Sequence, residues 1–363
     1  MTSAIAQAAD PLVFISSFAS GDKAGIHAFS FDSKTGALKL LHRTTDIQNP
    51  FFIATSPDKR FLYAIDAEKF GWPDDEFVAS YALEGRTGKL KRLNQQSTHG
   101  TASCYLDVDA TGKSVLVANY SSGSVASFPV QNDGSLGAAA SFVQHSGSSA
   151  DSSRQKGPNA HSIVVSPDNR FALAADLGID KIMIYHLDVA TAKLTTNEAQ
   201  PYAKLAPGSG PRHLTFHPNG KRVYVINELA NTITVFAYDT DWGTLKQRQT
   251  ISTLPTDFTG KSYTADLKIT PDGKFLYGTN RGHDSIASFR IGDDGRLTLI
   301  GIEPSLGKGP QNLLITPDGR WLLCANMPGN SVFVFQIDAA SGKITKVGDP
   351  VEIPMPSCIR WME

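Results

Sequence analysis

A chain of 363 residues with 34 Lys and Arg against 35 Asp and Glu has a formal net charge of −1 and no long run of either sign. That excludes the basic footprint of a nucleic-acid binder and the polybasic patch of a membrane-surface anchor. At 41% hydrophobic and 19% charged residues the composition is that of an ordinary globular protein, and no apolar run approaches a membrane-spanning length.

Residues 1–10, MTSAIAQAAD, read as a tail. They lack the basic segment and apolar core of a working signal peptide, which favours a cytoplasmic protein. The small-residue AIAQAAD resembles the end of such a peptide, so export is the alternative. LVFISSF (12–18) is one apolar strand, and two kinds of unit then alternate to the end of the chain.

The first unit is strand–turn–strand, as in FFIATSPDKRFLYAID (51–66), HLTFHPNGKRVYVIN (213–227) and NLLITPDGRWLLCAN (312–326). Its turns begin at Pro57, Ala110, Pro167, Pro218, Pro271 and Pro317, 46 to 57 residues apart. The second is strand–Gly turn–strand, from GIHAFSFDSKTGALKL (25–40) to SVFVFQIDAASGKITK (331–346), and occurs seven times. Both alternate apolar with small or polar residues and are rich in Val, Ile, Phe and Tyr, the pattern of short half-buried strands. Pro presets φ and Gly accepts positive φ, so Pro-Asp-Gly and Asp-Gly suit the turns.

Four strands per repeat make a β-propeller blade. PSCIRWME (356–363) aligns with PQNLLITP (310–317) and is an innermost strand alone. The strand at 12–18 supplies the second. The expectation is all-β: a seven-bladed β-propeller over residues 11–363, a single domain whose last blade is closed by both termini. Cys104, Cys324 and Cys358 are odd in number and lack a CxxC pair, so they read as buried free thiols in a reducing compartment.

The start of each innermost strand and the end of the next lie at one end of the blade, so these positions ring one mouth of the central channel. Six blades end there in Asp66, Asn119, Asp176, Asn227, Asn280 and Asn326, which reads first as turn chemistry. Charged or titratable residues peculiar to one blade need another reason. His161, Arg212, His213, Glu228 and Arg281 are such residues, and they fall in three consecutive blades. Paired guanidiniums grip a carboxylate or phosphate, and Glu with His supplies acid–base capacity near neutral pH.

Other features are weaker. His213 and His217 lie about 13 Å apart on a strand, too far for one metal ion. GWPDDEF (71–77) reads as a solvated rim loop, and QHSGSSADSSRQKGP (144–158) as a flap or plain mobile loop beside His161. No GxSxG, Walker A or GxGxxG motif occurs, and no metal or cofactor is expected.

VANYSSGSVASFPV (117–130), GPNAHSIVVSPDNRFALAADLGIDKI (157–182), GPRHLTFHPNGKRVYVINEL (210–229), TNRGHDSIASF (279–289) and GPQNLLITPDGRWLLCAN (309–326) resemble blocks of the seven-bladed propeller lactonase family, which includes bacterial 6-phosphogluconolactonases and fungal 3-carboxy-cis,cis-muconate lactonizing enzymes. The resemblance runs from about residue 11 to the end. It implies that His161, Arg212, Glu228 and Arg281 form the catalytic set. Asn159, His213, Asn227, Asn280, Gln311 and Asn326 are carried as substrate-binding candidates. Asn159 stands where the family often has His, and Gln311 where it often has Arg, one positive charge fewer for a phosphate.

The leading expectation is a metal-independent hydrolase of a small anionic sugar lactone, best 6-phosphogluconolactone. Arg212 and Arg281 would hold the anion or the oxyanion, and Glu228 or His161 would deprotonate water. One alternative is a carboxymuconate-type cycloisomerase; another is a propeller that only binds a ligand or protein. A monomer is favoured.

Overall fold

The computed structural model describes residues 10–71 and 73–363. Nearly all of the N-terminal tail read from the sequence lies outside them; Asp10 is exposed, and its carbonyl accepts a hydrogen bond from Arg86.

The described residues form seven antiparallel sheets; in six the chain runs outward from the innermost strand, and in the seventh the innermost strand is the last one. The innermost strands of blades 1 to 7 are Ile53–Thr55, Ser103–Val108, Ala160–Val165, Pro211–Phe216, Tyr263–Ile269, Pro310–Ile315 and Pro356–Met362. Blade 7 joins the two ends of the chain: Pro356–Met362 pairs with Leu12–Ser17, Val13 opposite Trp361 and Ile15 opposite Ile359. Closure by both termini is therefore observed. It gives the first strand partners on both sides, Pro356–Met362 and Gly25–Phe31, and leaves it no open edge.

One blade departs from four strands. In blade 3 the outer position is divided between Lys193–Thr196 and Tyr202–Lys204, which pair with opposite halves of Lys181–Asp188. The segment between them leaves the sheet, so one long strand becomes two short ones.

Apolar side chains fill the spaces between blades rather than the axis. Phe171, Leu173 and Ala175 of blade 3, for example, pack with Val223, Val225 and Phe236 of blade 4. Each of the Phe, Leu and Val side chains contributes roughly 1.5–3 kcal/mol on burial.

The recurring glycine of the second repeat unit has a packing reason beyond its turn. Gly134 has φ +87°, and a Cβ there would lie 2.2 Å from the ring of Phe61 in the preceding blade. Gly243 meets Phe171, and Gly342 meets Phe275, in the same way. The turn thus sits flat on an aromatic ring at the start of its neighbour's second strand. Gly134→Ala is expected to destabilise by about 2–3 kcal/mol through overlap and left-handed strain. A denaturant titration checks this, and an unchanged midpoint would contradict the contact.

Candidate active site

The channel mouth is built on a repeated irregularity. In blades 2, 3, 4, 6 and 7 the register of the innermost strand slips at its second residue, and that residue has no partner in the ladder. The residues concerned are Cys104, His161, Arg212, Gln311 and Ser357. A bulge re-aims the side chain it carries, and His161, Arg212 and Gln311 are site candidates on the sequence alone.

Glu228 lies at the end of the second strand of blade 4 and is buried. Its Oε1 accepts a hydrogen bond from Arg154 Nη2 at 2.7 Å. Its Oε2 accepts from Arg212 Nε at 3.0 Å and Arg281 Nη2 at 2.7 Å. His161 Nε2 is 3.9 Å from the same oxygen, a separation at which one water molecule touches both. Burial favours the protonated carboxyl, but the guanidiniums of Arg281, Arg212 and Arg154 outweigh it and hold Glu228 below its ordinary range.

Arg212 is 1% exposed. Burial and the nearby Arg281 push it down to about 10. Its Nη1 donates to the Ala265 carbonyl and lies 3.0 Å from His213 Nε2. A guanidinium only donates, so Nε2 is the acceptor and the His213 proton sits on Nδ1, 2.9 Å from Asp266 Oδ1. Asp266 also accepts from Lys268 Nζ, Asn312 Nδ2 and the Leu313 amide. His161 is buried against Cys104, whose Sγ is 3.4 Å from Nδ1. Burial, then Arg212 and His213, depress His161 well below 6.5, so it is neutral at pH 7.

Above this cluster opens a cavity of about 650 Å³. Glu228, Arg154, Arg281 and Gln311 face it, with Tyr263, Lys261, Lys308 and Asp284 around them. Gln311 Oε1 is 3.4 Å from Arg281 Nη1.

The four expected catalytic residues are therefore neighbours. Among the expected binding residues, Gln311 reaches the cavity and His213 stands behind Arg212. Asn159 spends its amide on the Tyr120 carbonyl and its backbone N–H on Asp176. Asn227, Asn280 and Asn326 are fully buried. Their amides tie neighbouring strands and loops, Asn280 to Thr253 and Ser285, Asn326 to Ser305, and Asn227 to Thr232 and Thr234.

Two loop readings change as well. The 144–158 segment is strapped down: His145 Nδ1 contacts Asp176 at 2.6 Å, Ser149 donates to Asp180, and the buried Gln155 donates to the Leu177 carbonyl. This strap delivers Arg154, which repeat comparison could not find because the segment has no counterpart in other blades. Glu76 is not on a solvated rim. It is buried and accepts the amides of Gly71, Ala102 and Ser103.

The fold matches known proteins. The family model of the seven-bladed β-propeller lactonases matches residues 12–361, and the chain belongs to that family. It is 33% identical to the 6-phosphogluconolactonase of Bacillus subtilis over 351 residues, covering 96% of this chain and 97% of that one. A crystal structure of a putative 6-phosphogluconolactonase from Bacteroides fragilis superposes with a TM-score of 0.91 at 32% identity, over 99% and 100% of the two chains. The periplasmic gluconolactonase of Pseudomonas aeruginosa superposes with a TM-score of 0.90 at 31% identity, over 97% and 99%.

Two outcomes follow from the buried charges. Asp266 faces four donors, so Asp266→Asn must turn an N–H₂ towards one of them. A loss of about 3 kcal/mol or more in a denaturant titration is expected, and a neutral substitution would contradict the network. His27, His161 and His213 are held neutral, His27 at about 4 by burial and Arg43, and His213 at about 3 by burial and Arg212. The unfolded chain binds protons that these folded sites refuse. Their stabilisation is complete above pH 6.5 and is lost as pH falls towards the folded values, roughly 2 kcal/mol at pH 5 for His213 alone. Midpoints measured from pH 7.5 to 5 should fall steadily.

Proposed function

We propose that this protein hydrolyses a sugar lactone, with 6-phosphogluconolactone as its substrate. The observation that carries the reading is the gathering of Arg154, Arg212 and Arg281 on the single carboxylate of Glu228 beside a neutral histidine. The names of the Bacillus and Bacteroides relatives support the phosphorylated substrate, and that of the Pseudomonas relative supports lactone chemistry in general.

The residues divide the work. Glu228, committed to three guanidiniums and held ionised, is a weak base; it orients the arginines. His161 has a free ring nitrogen at neutral pH and takes a proton from water through Nε2. The hydroxide oxygen bonds to the lactone carbonyl carbon, and the carbonyl oxygen becomes an oxyanion. Arg281 and Arg154, partly exposed with N–H groups left over from Glu228, stabilise that charge. Collapse breaks the bond to the ring oxygen, which takes the proton back from His161, and the open-chain acid leaves. Arg212, fully buried, fixes Glu228 from behind.

The same cluster suits the carboxylates of a muconate-type substrate. Product analysis separates that cycloisomerase from a hydrolase, and a binding-only propeller gives no turnover. The three buried thiols support a reducing compartment. Among the described residues no helix is long and apolar enough to cross a membrane.

The test is hydrolysis of freshly made 6-phosphogluconolactone with the spontaneous rate subtracted. His161→Ala should lower kcat by about 10²–10⁴-fold, and Arg281→Ala by about 10²–10³-fold. The acid limb of kcat/KM should lie below pH 6.5, because the base must be deprotonated and its folded value is depressed. A wild-type rate equal to the blank would overturn the reading.

A further inference from the structure

The cations around the cavity fall into two groups. Arg154, Arg212 and Arg281 are committed to Glu228. Lys261 and Lys308, on the wall of the same cavity, are exposed and have no carboxylate partner among the described residues. Asp284 on the same wall is ion-paired with neither: its Oδ1 accepts the amides of Gly282 and Gly309. Four cations, Arg154, Arg281, Lys261 and Lys308, thus line the cavity with two carboxylates, Glu228 and Asp284, although the whole chain has a net charge of −1.

The two lysines stand on anchored backbone. Lys261 precedes the innermost strand of blade 5, where Gly282 approaches so closely that a Cβ would lie 2.4 Å from the Lys261 carbonyl oxygen. The next residue, Ser262, has its carbonyl bonded by Asn231 and its hydroxyl donated to the Arg281 carbonyl. Lys308 precedes the innermost strand of blade 6, its carbonyl accepting the Gly329 amide. These loops bring both lysines to the cavity that Arg281 also lines.

We infer that Lys261 and Lys308 form the phosphate subsite of this cavity, reading the dianionic end of a phosphorylated sugar lactone while the arginines below handle its carbonyl. A phosphomonoester carries roughly −1.5 to −2 charge at pH 7, and a pair of point-charge ammonium groups matches it without demanding a fixed geometry. Lys308 supplies, three residues upstream, the charge that Gln311 lacks. The substrate named here rests on the lactonase reading; the subsite itself is tested independently of it.

The experiment compares kcat/KM for 6-phosphoglucono-δ-lactone and glucono-δ-lactone in the wild type and in Lys261→Gln/Lys308→Gln at low ionic strength. The ratio of the two values should fall by about tenfold, through KM of the phosphorylated substrate, as expected for two exposed ion pairs. Added salt should shrink the wild-type ratio towards that of the variant. Misfolding would lower both rates together and leave the ratio alone, and an unchanged ratio in a folded variant overturns the subsite. Should the wild type turn over neither lactone, the lactonase reading fails by itself. Calorimetry with 6-phosphogluconate and gluconate then decides. A wild-type preference for the phosphorylated acid that disappears in the double variant supports the subsite; equal binding, or none, overturns it.

Discussion

Everything at the channel mouth depends on the ring closing on itself. The hydrogen bonds between Leu12–Ser17 and Pro356–Met362 turn seven blades from an open stack into a ring of fixed curvature. In that ring, Arg154, Arg212 and Arg281, which lie 74, 16 and 53 residues from Glu228, meet on one carboxylate. The connection is also direct. Glu228 holds Arg212, Arg212 bonds His213, His213 bonds Asp266, and Asp266 accepts from Asn312. Asn312 Oδ1 in turn accepts the amide of Ile359, in the closing strand itself. A run of polar contacts joins the mouth to the closure.

Such a run is not chosen for stability. Burying charges costs more than a well-packed apolar substitute would, and their mutual attraction returns that cost only when every donor and acceptor is satisfied. Here each partner is specified by chemistry. The arginines only donate, Asp266 only accepts, and His213 does one on each ring nitrogen. The result is a single protonation pattern, in which the guanidiniums are pre-oriented and the neighbouring histidine stays neutral. That is the kind of environment in which charge developing in a transition state is met without rearrangement.

Much of this was legible in the sequence because the chain repeats. Alternating apolar residues and evenly spaced turns gave the blades, the unequal numbers of the two repeat units gave the closure, and blade-specific charge singled out His161, Arg212, Glu228 and Arg281. The same comparison marked Asn227, Asn280 and Asn326 as residues of a type common to most blades, and in the structure all three are fully buried. What could not be read lies outside the repeat. Arg154 arrives on an insertion with no counterpart in any other blade, and Glu76 looked like one acid among several until its three amide donors were seen. The bulges at Cys104, His161, Arg212 and Gln311 are irregularities of pairing, and a pattern of side-chain types does not record which residue a ladder skips.

The closing blade also sets an order on synthesis. Ser16 and Ser357, which share a hydrogen bond across the closing strands, are 341 residues apart. At about 5–20 residues per second on a ribosome, the strand at Leu12–Ser17 waits roughly 20–70 seconds for its inner partner to be made. Throughout that interval a buried apolar strand presents unpaired backbone groups to its surroundings. The nascent chain therefore carries an association-prone edge on this strand until Pro356–Met362 has been made. Whatever shields emerging chains in the cell has its longest task at the N-terminal strand.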